Sequence, residues 1–110
     1  MSYESAQANA IFKALSDPTR RRIFARLCRE GEQTVVALTR HAGISQPAVS
    51  KHLAALKLAG LVSDRPDGRQ THYSARPAAL APLRDWTVEM AAFWQGRLDR
   101  LDNLLNRMDQ

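Results

Sequence analysis

The chain has 110 residues, 45% of them hydrophobic and 25% charged, which fits one globular domain of ordinary composition. Its net charge of +5 and pI of about 10.1 favour a polyanionic partner. A single cysteine, Cys28, excludes an intramolecular disulfide. The first five residues lack the pattern of a signal peptide and no run of about 18 apolar residues occurs, so we expect no membrane span and a cytoplasmic location.

The sequence pattern of the N-terminal third of the chain predicts two helices. The first runs from Tyr3 to Leu15, and the apolar side chains on one of its faces are Ala8, Ile11, Phe12 and Leu15. Asp17 is a good N-cap for the second helix, and Pro18 suits its first position because a proline there loses no hydrogen bond. This helix continues to about Arg29 and ends at Gly31. Its inward face holds Ile23, Phe24, Leu27 and Cys28, so we expect the Cys28 thiol to be buried.

Two further helices follow with a very short link between them. Thr34 can cap a third helix that ends at Gly43, since glycine commonly occupies the left-handed position after a helix. Ser45 can cap a fourth helix, Gln46 to Ala59. A link of about three residues between two helices is typical of a helix-turn-helix, here over residues 34–59.

The hydrophobic period changes to about two after the fourth helix. This pattern predicts two strands, Leu61 to Arg65 and Gln70 to Ser74, joined by a turn at Pro66 to Arg69. A hairpin in this place, over residues 61–74, is a wing. The predicted fold is mainly α with a small β-hairpin, a winged helix-turn-helix in one domain over residues 1–110.

The last predicted helix covers residues 82–108 and is about 40 Å long, which exceeds what a small domain needs to cover itself. Its apolar stripe includes Trp94, Leu98, Leu101 and Leu105. Because a monomer rarely exposes so large an apolar patch, we expect this helix to form a homodimer.

The fourth helix has two chemically different faces. Val49, Leu53 and Leu56 point one way, while Pro47, Lys51 and Ala54 point the other, with His52 on the boundary. Gln46 can pair with an adenine edge and Ser50 with several bases, whereas Lys51 suits phosphate or guanine. Arg69 at the hairpin tip can reach a minor groove or a phosphate. The candidate DNA-binding residues are Thr34, Ser45, Gln46, Pro47, Ser50, Lys51, His52, Arg69 and Gln70.

The sequence resembles the ArsR/SmtB-type regulators in three stretches. Residues 15–23, LSDPTRRRI, are similar to the opening of that family. Residues 45–53, SQPAVSKHL, together with Asp67-Gly68-Arg69, are similar to its recognition helix and wing. Phe93-Trp94 and residues 97–102, RLDRLD, resemble the C-terminal helix of one branch. The resemblance implies a homodimer through the first and last helices, with Ile11 in the interface, and repression by binding double-stranded operator DNA.

The sequence departs from the metal-sensing members of that family. The stretch matching their third-helix cysteine motif is Thr34-Val35-Val36-Ala37-Leu38, which has no thiol, and Asp85 and Glu89 stand on the last helix without a histidine. Because a metal site normally needs three or four ligands, we expect no metal and no cofactor. The sequence leaves open whether a small-molecule effector releases the protein from DNA.

Two other classes of function compete with DNA binding. A protein-interaction module built on the same fold would favour an acidic or apolar surface on the fourth helix, which Gln46, Ser50 and Lys51 argue against. An enzyme has no support, since the sequence shows no catalytic constellation.

Overall fold

The structure is a computed structural model that describes residues 3–109, with side chains from residue 6. The expectation that the first five residues form no signal peptide falls largely outside this range. Five helices and three strands follow in the order α1 (Tyr3–Leu15), α2 (Pro18–Glu30), β1 (Gln33–Thr34), α3 (Val35–Ala42), α4 (Gln46–Leu58), β2 (Val62–Asp67), β3 (Gln70–Ala75) and α5 (Ala81–Met108), with a 3₁₀ turn at Pro77–Leu80 before α5.

The three predicted N-caps are confirmed. The side chain of Asp17 accepts a hydrogen bond from the Arg20 N–H at 2.9 Å. The hydroxyls of Thr34 and Ser45 accept from the N–H groups of Ala37 and Ala48 at 3.1 and 3.3 Å. Each cap satisfies a backbone donor that the first turn of a helix leaves free.

The core lies where α1, α2, α3, α4 and the start of β2 meet. Val49, Leu53 and Leu56 are 0% exposed, which confirms the predicted inward face of α4. Leu27, Leu38 and Leu61 complete the most deeply buried set. Because the core takes side chains from α2, α3 and α4 together, it fixes the position of α4 relative to the other two helices.

The sheet has one strand more than the sequence predicts. Its order is β1-β3-β2, with Thr34 opposite His72 in one antiparallel pair and Arg65 opposite His72 in the other. The turn is also shorter than predicted, because Pro66 and Asp67 belong to β2 and only Gly68 and Arg69 connect the strands. Gly68 has φ +62°, a conformation that favours glycine in a two-residue hairpin turn.

Two arginines join α1 to α2. Arg20 Nη1 donates to the Ala14 carbonyl at 3.2 Å and Arg21 Nη1 donates to the Leu15 carbonyl at 2.8 Å. They satisfy carbonyl groups that have no partner within α1 and favour the negative end of its dipole.

The expected burial of Cys28 is wrong, since this residue is exposed. Its position on α2 lies beside the apolar face, at the margin of what the neighbouring helices cover. Partial desolvation nevertheless raises the pKa of the thiol, with Arg29 acting in the opposite direction.

Helix α5 reaches far beyond the core. The protomer measures 73 × 30 × 20 Å, and none of the described residues of α5 is buried. Near its start, Trp86 packs edge-on against Phe12 of α1 with ring centroids 5.2 Å apart. Among residues 3–109, no helix combines the length and the apolar character needed to cross a membrane.

Candidate DNA interface

Helices α3 and α4 are joined by Gly43, Ile44 and Ser45. Gly43 adopts φ +70° and ψ +16°, the left-handed conformation that lets the chain turn directly after a helix. Val49 and Leu53 then anchor α4 in the core. This arrangement leaves the N-terminal half of α4 with one face directed away from the protein.

The free face of α4 carries side chains suited to reading bases. Gln46, Pro47, Ser50 and Lys51 are all exposed. Gln46 and Lys51 make no side-chain hydrogen bond or ion pair within residues 6–109, so their donors and acceptors remain available. A glutamine can pair bidentately with adenine in the major groove, and short neighbours allow close approach.

His52 occupies a different environment from that face. It is half-buried, and its Nδ1 is shielded from solvent without a hydrogen-bond partner in the described part of the chain. The backbone N–H of Arg20 lowers the pKa of the Asp17 carboxyl, desolvation opposes this, and the charges of His52 and Arg20 lower it further. His52 therefore lies near the N-terminus of α2 and, as predicted from the helical spacing, on the boundary between the buried and exposed faces of α4.

The tip of the wing presents Arg69 and Gln70. Both are exposed, and Arg69 is the second residue of the two-residue turn while Gln70 opens β3 opposite Asp67. The Arg69 guanidinium forms no ion pair with any residue in the described ranges. An exposed guanidinium at the tip of a hairpin can contact a DNA groove or a phosphate.

Thr34 and Ser45 lie at the N-termini of α3 and α4 with their hydroxyls engaged as caps. Because a hydroxyl that accepts an N–H can still donate its own proton, each retains a donor for a phosphate oxygen. The helix N-terminus adds a favourable dipole for the same group.

The base of the wing is held by a cluster around Glu32, a residue that no sequence pattern singles out. Glu32 accepts from Arg65 Nη2 at 2.7 Å and from Ser74 Oγ at 3.1 Å. The hydrogen bond from Arg65 lowers the pKa of the Glu32 carboxyl, desolvation opposes this, and the Ser74 hydrogen bond supports it. His72 lies between two carboxylates, 3.5 Å from Glu32 and 3.5 Å from Asp67. The cluster therefore ties the α2–β1 connection to both long strands.

These contacts decide which basic groups remain free. Lys57 at the end of α4 pairs with Asp64 of β2 at 3.0 Å, and Arg65 pairs with Glu32. Four other basic side chains of the region between residues 40 and 76 form no ion pair within residues 6–109; they are Arg40, Lys51, Arg69 and Arg76. The excess positive charge is thus concentrated on side chains that are available to a polyanion.

The residues expected at a dimer interface fall into two groups. Trp94, Leu98, Leu101 and Leu105 are 60%, 51%, 50% and 49% exposed, which is unusual for large apolar side chains. Ile11 differs, because it is 4% exposed and belongs to the core of its own protomer. Ile11 therefore has little exposed surface, and its side chain supports α1 from within the core.

Among the described residues, no group of three or more His, Cys, Asp or Glu side chains is placed so that it could hold a metal ion. On α5, Asp85 Oδ1 instead accepts from Arg84 Nη2 at 3.1 Å.

A tight helix-turn-helix, an exposed polar face on its second helix and a hairpin with a basic tip define a winged helix-turn-helix DNA-binding protein. A family model described as a helix-turn-helix domain matches residues 15–65. The transcriptional repressor SdpR of Bacillus subtilis is 40% identical over 80 residues, 73% of this chain and 88% of that protein. The HTH-type transcriptional regulator Rv2034 of Mycobacterium tuberculosis is 41% identical over 95 residues, 86% of this chain and 85% of that protein. An ArsR-like transcriptional regulator from Rhodococcus sp. RHA1 superposes with a TM-score of 0.74 at 33% identity, covering 91% of this chain and 93% of the other.

The chain belongs to the ArsR family of winged helix-turn-helix transcriptional regulators. It is therefore a DNA-binding regulator, and its family is a class of transcription factors distinct from enzymes.

Proposed function

We propose that the whole chain, residues 1–110, acts as a homodimeric cytoplasmic repressor that binds an inverted-repeat operator in double-stranded DNA. The observation that carries this proposal is the exposed face of α4, where Gln46, Ser50 and Lys51 stand free while Val49 and Leu53 hold the helix from behind. Two such helices related by a two-fold axis would enter successive major grooves. Half-sites about 34–36 Å apart, or a multiple of this, follow from that symmetry.

In this proposal each surface has a separate role. Gln46, Pro47 and Ser50 read base edges, and the N-termini at Thr34 and Ser45 bind phosphate. Lys51 contacts phosphate or guanine. Arg69 and Gln70 extend the contact to the neighbouring groove or backbone. His52, on the boundary of the exposed face of α4, donates a hydrogen bond at the edge of the groove.

The family positions that hold metals in metal-sensing members are not used here. Residues 34–38 contain no thiol, and Asp85 is engaged by its neighbour Arg84. We infer that neither zinc nor a thiophilic metal releases DNA through those positions. Release from DNA by a small-molecule effector is compatible with the proposal.

The experiment titrates an operator selected from random duplexes, and its single-base variants, with wild type, Gln46→Ala and Arg69→Ala at several salt concentrations. Gln46→Ala is expected to lose about 1–3 kcal/mol of discrimination at one base in each half-site, because a bidentate pair to that base disappears. Arg69→Ala is expected to weaken most sequences. If Arg69 meets phosphate, the log–log salt slope falls by about 0.9 for each phosphate that the variant no longer neutralises.

Gln95→Ala is the matched control, since it removes the same side chain from an exposed position of α5. Uniform weakening of all sequences by Gln46→Ala would show that α4 does not read bases. Wild-type binding by both variants would place the DNA surface elsewhere and favour a protein-interaction module.

A further inference from the structure

A separate basic cleft lies between α2 and α3. It has a volume of about 170 Å³, and the residues that line it include Arg22, Arg26, Arg29 and His41. Ile23 and Leu38 also line the cleft, and they are 4% and 1% exposed. Among the described residues, no carboxylate lines this cleft. The charged side chains that line the cleft are therefore all basic, and they lie beside two buried apolar side chains.

The three arginines lie on one face of α2 because they follow the spacing i, i+4, i+7. Like charges at this spacing destabilise a helix. Some other arginines of the described chain meet acceptors, such as the Glu32 carboxylate for Arg65 or the α1 carbonyls for Arg20 and Arg21. The arginines of the cleft form no ion pair within residues 6–109, so their repulsion is uncompensated there.

Arg26 is the group that most needs a partner. Its side chain is half-buried, and its Nε is shielded from solvent with no hydrogen-bond partner in the described residues. A shielded charged donor without an acceptor is costly, and nearly all such groups in proteins are satisfied. Arg22 is already oriented along the wall, since its Nη2 donates to Thr19 Oγ1 at 3.1 Å.

We propose that this cleft binds a phosphate-like anionic group through Arg22, Arg26 and Arg29. The planar fork of a guanidinium matches two oxygens of such a group, and three of them can satisfy a dianion. The cleft is smaller than the roughly 300–1,000 Å³ of sites for drug-sized ligands, so it accepts one phosphate-like group with a small substituent. This site goes beyond the proposed function, which places DNA on α4 and the wing.

The test titrates the full-length protein with inorganic phosphate, at constant pH and ionic strength, by isothermal calorimetry. Saturable binding is expected for wild type, and affinity about ten-fold weaker or more is expected for Arg26→Gln and Arg22→Gln, since each removes charge-assisted hydrogen bonds. Arg22 is exposed, so Arg22→Gln keeps the test valid if the half-buried Arg26 is needed for folding.

Arg40→Gln is the matched control, because it removes one positive charge from α3 without lining the cleft. It should bind phosphate as wild type does. Equal responses of all four proteins to phosphate, or no saturable binding at all, would overturn the site. The titration contains no DNA, so this failure would leave the reading of DNA by α4 untouched.

A second measurement separates the two sources of the anion. If the cleft holds a phosphate of the DNA backbone, Arg26→Gln weakens duplex binding in phosphate-free buffer and lowers the salt slope by about 0.9. If the ligand is a free small molecule, Arg26→Gln binds duplex DNA as wild type does. Either result, combined with saturable phosphate binding, supports the site.

Discussion

At the scale of single residues, side chains form hydrogen bonds within elements, as the helix caps do, and between elements, as Glu32 does with Arg65. The caps Asp17, Thr34 and Ser45 are predictable from sequence because a cap and its donor are three residues apart. The Glu32 cluster is not predictable, since Glu32 and Ser74 meet only after the sheet has formed. The exposure of Cys28 is hard to predict for a related reason, because helical spacing gives the face of a residue and not what covers it.

Replacing Glu32 by glutamine is expected to make stability depend less on pH. Its pKa in the folded protein is lowered from 4.5, chiefly by the Arg65 hydrogen bond. The folded state therefore binds fewer protons than the unfolded state, and the stabilisation is complete above the ordinary pKa and lost as the pH falls through the lowered one. Urea unfolding from about pH 7 to pH 3 should show Glu32→Gln less stable at neutral pH, with the difference closing below about pH 4.5.

Glu30→Gln provides the comparison for that measurement, because Glu30 is exposed at the end of α2 and forms no ion pair within residues 6–109. Its effect should be small throughout. A gap between wild type and Glu32→Gln that persists unchanged into acid would argue against the Arg65 pairing.

At the level of elements, α4 combines a buried supporting face with an exposed polar face, which we propose reads DNA. Periodicity predicts this division, and the exposures of Val49 and Leu53 confirm the supporting half. The wing is less completely predictable, because β1 has only two residues and no pattern of alternation can mark so short a strand. Because proline is common in turns, the sequence predicts Pro66 in the turn. In the structure Pro66 lies on β2, an outer strand of the sheet, where a proline is tolerated.

Leu53→Ala tests the supporting face. Its side chain is 0% exposed, and removing it should lower the free energy of unfolding by about 2–5 kcal/mol, since the truncation leaves a cavity in the core. Ala54→Ser, one position along on the exposed face, should change it by about 0.5 kcal/mol or less. Chemical denaturation followed by circular dichroism measures both. Similar effects of the two changes would mean that α4 is not seated in the core as described.

At the scale of the whole molecule, a small core is joined to a 28-residue helix, none of whose described residues is buried. Length and apolar spacing predict this helix, and its bounds agree with the sequence to within one residue. The spacing of the apolar residues does not identify what α5 packs against. A stripe at helical spacing is the same whether it faces the core of its own chain or another chain. Ile11 shows the difficulty, since it lies inside its own protomer.

Leu101→Glu is expected to dissociate the proposed dimer, because the new carboxylate would have to be buried without a partner in an apolar interface. Light scattering at micromolar concentration should shift from a dimer toward the 12.3 kDa protomer. Asn103→Glu adds the same charge on the opposite side of α5 and should leave the dimer intact. A wild-type protein that scatters as 12.3 kDa would contradict the dimer.

The outer strand of the wing, β2, affects how copies of the protein meet at high concentration. Within residues 3–109, β2 pairs with β3 alone, so its other edge is open to strands of other molecules. Pro66 offers no N–H for such a pairing, and the charged residues Asp64, Arg65 and Asp67 surround it. Copies of the protein that come close together are therefore protected from joining their sheets through this edge.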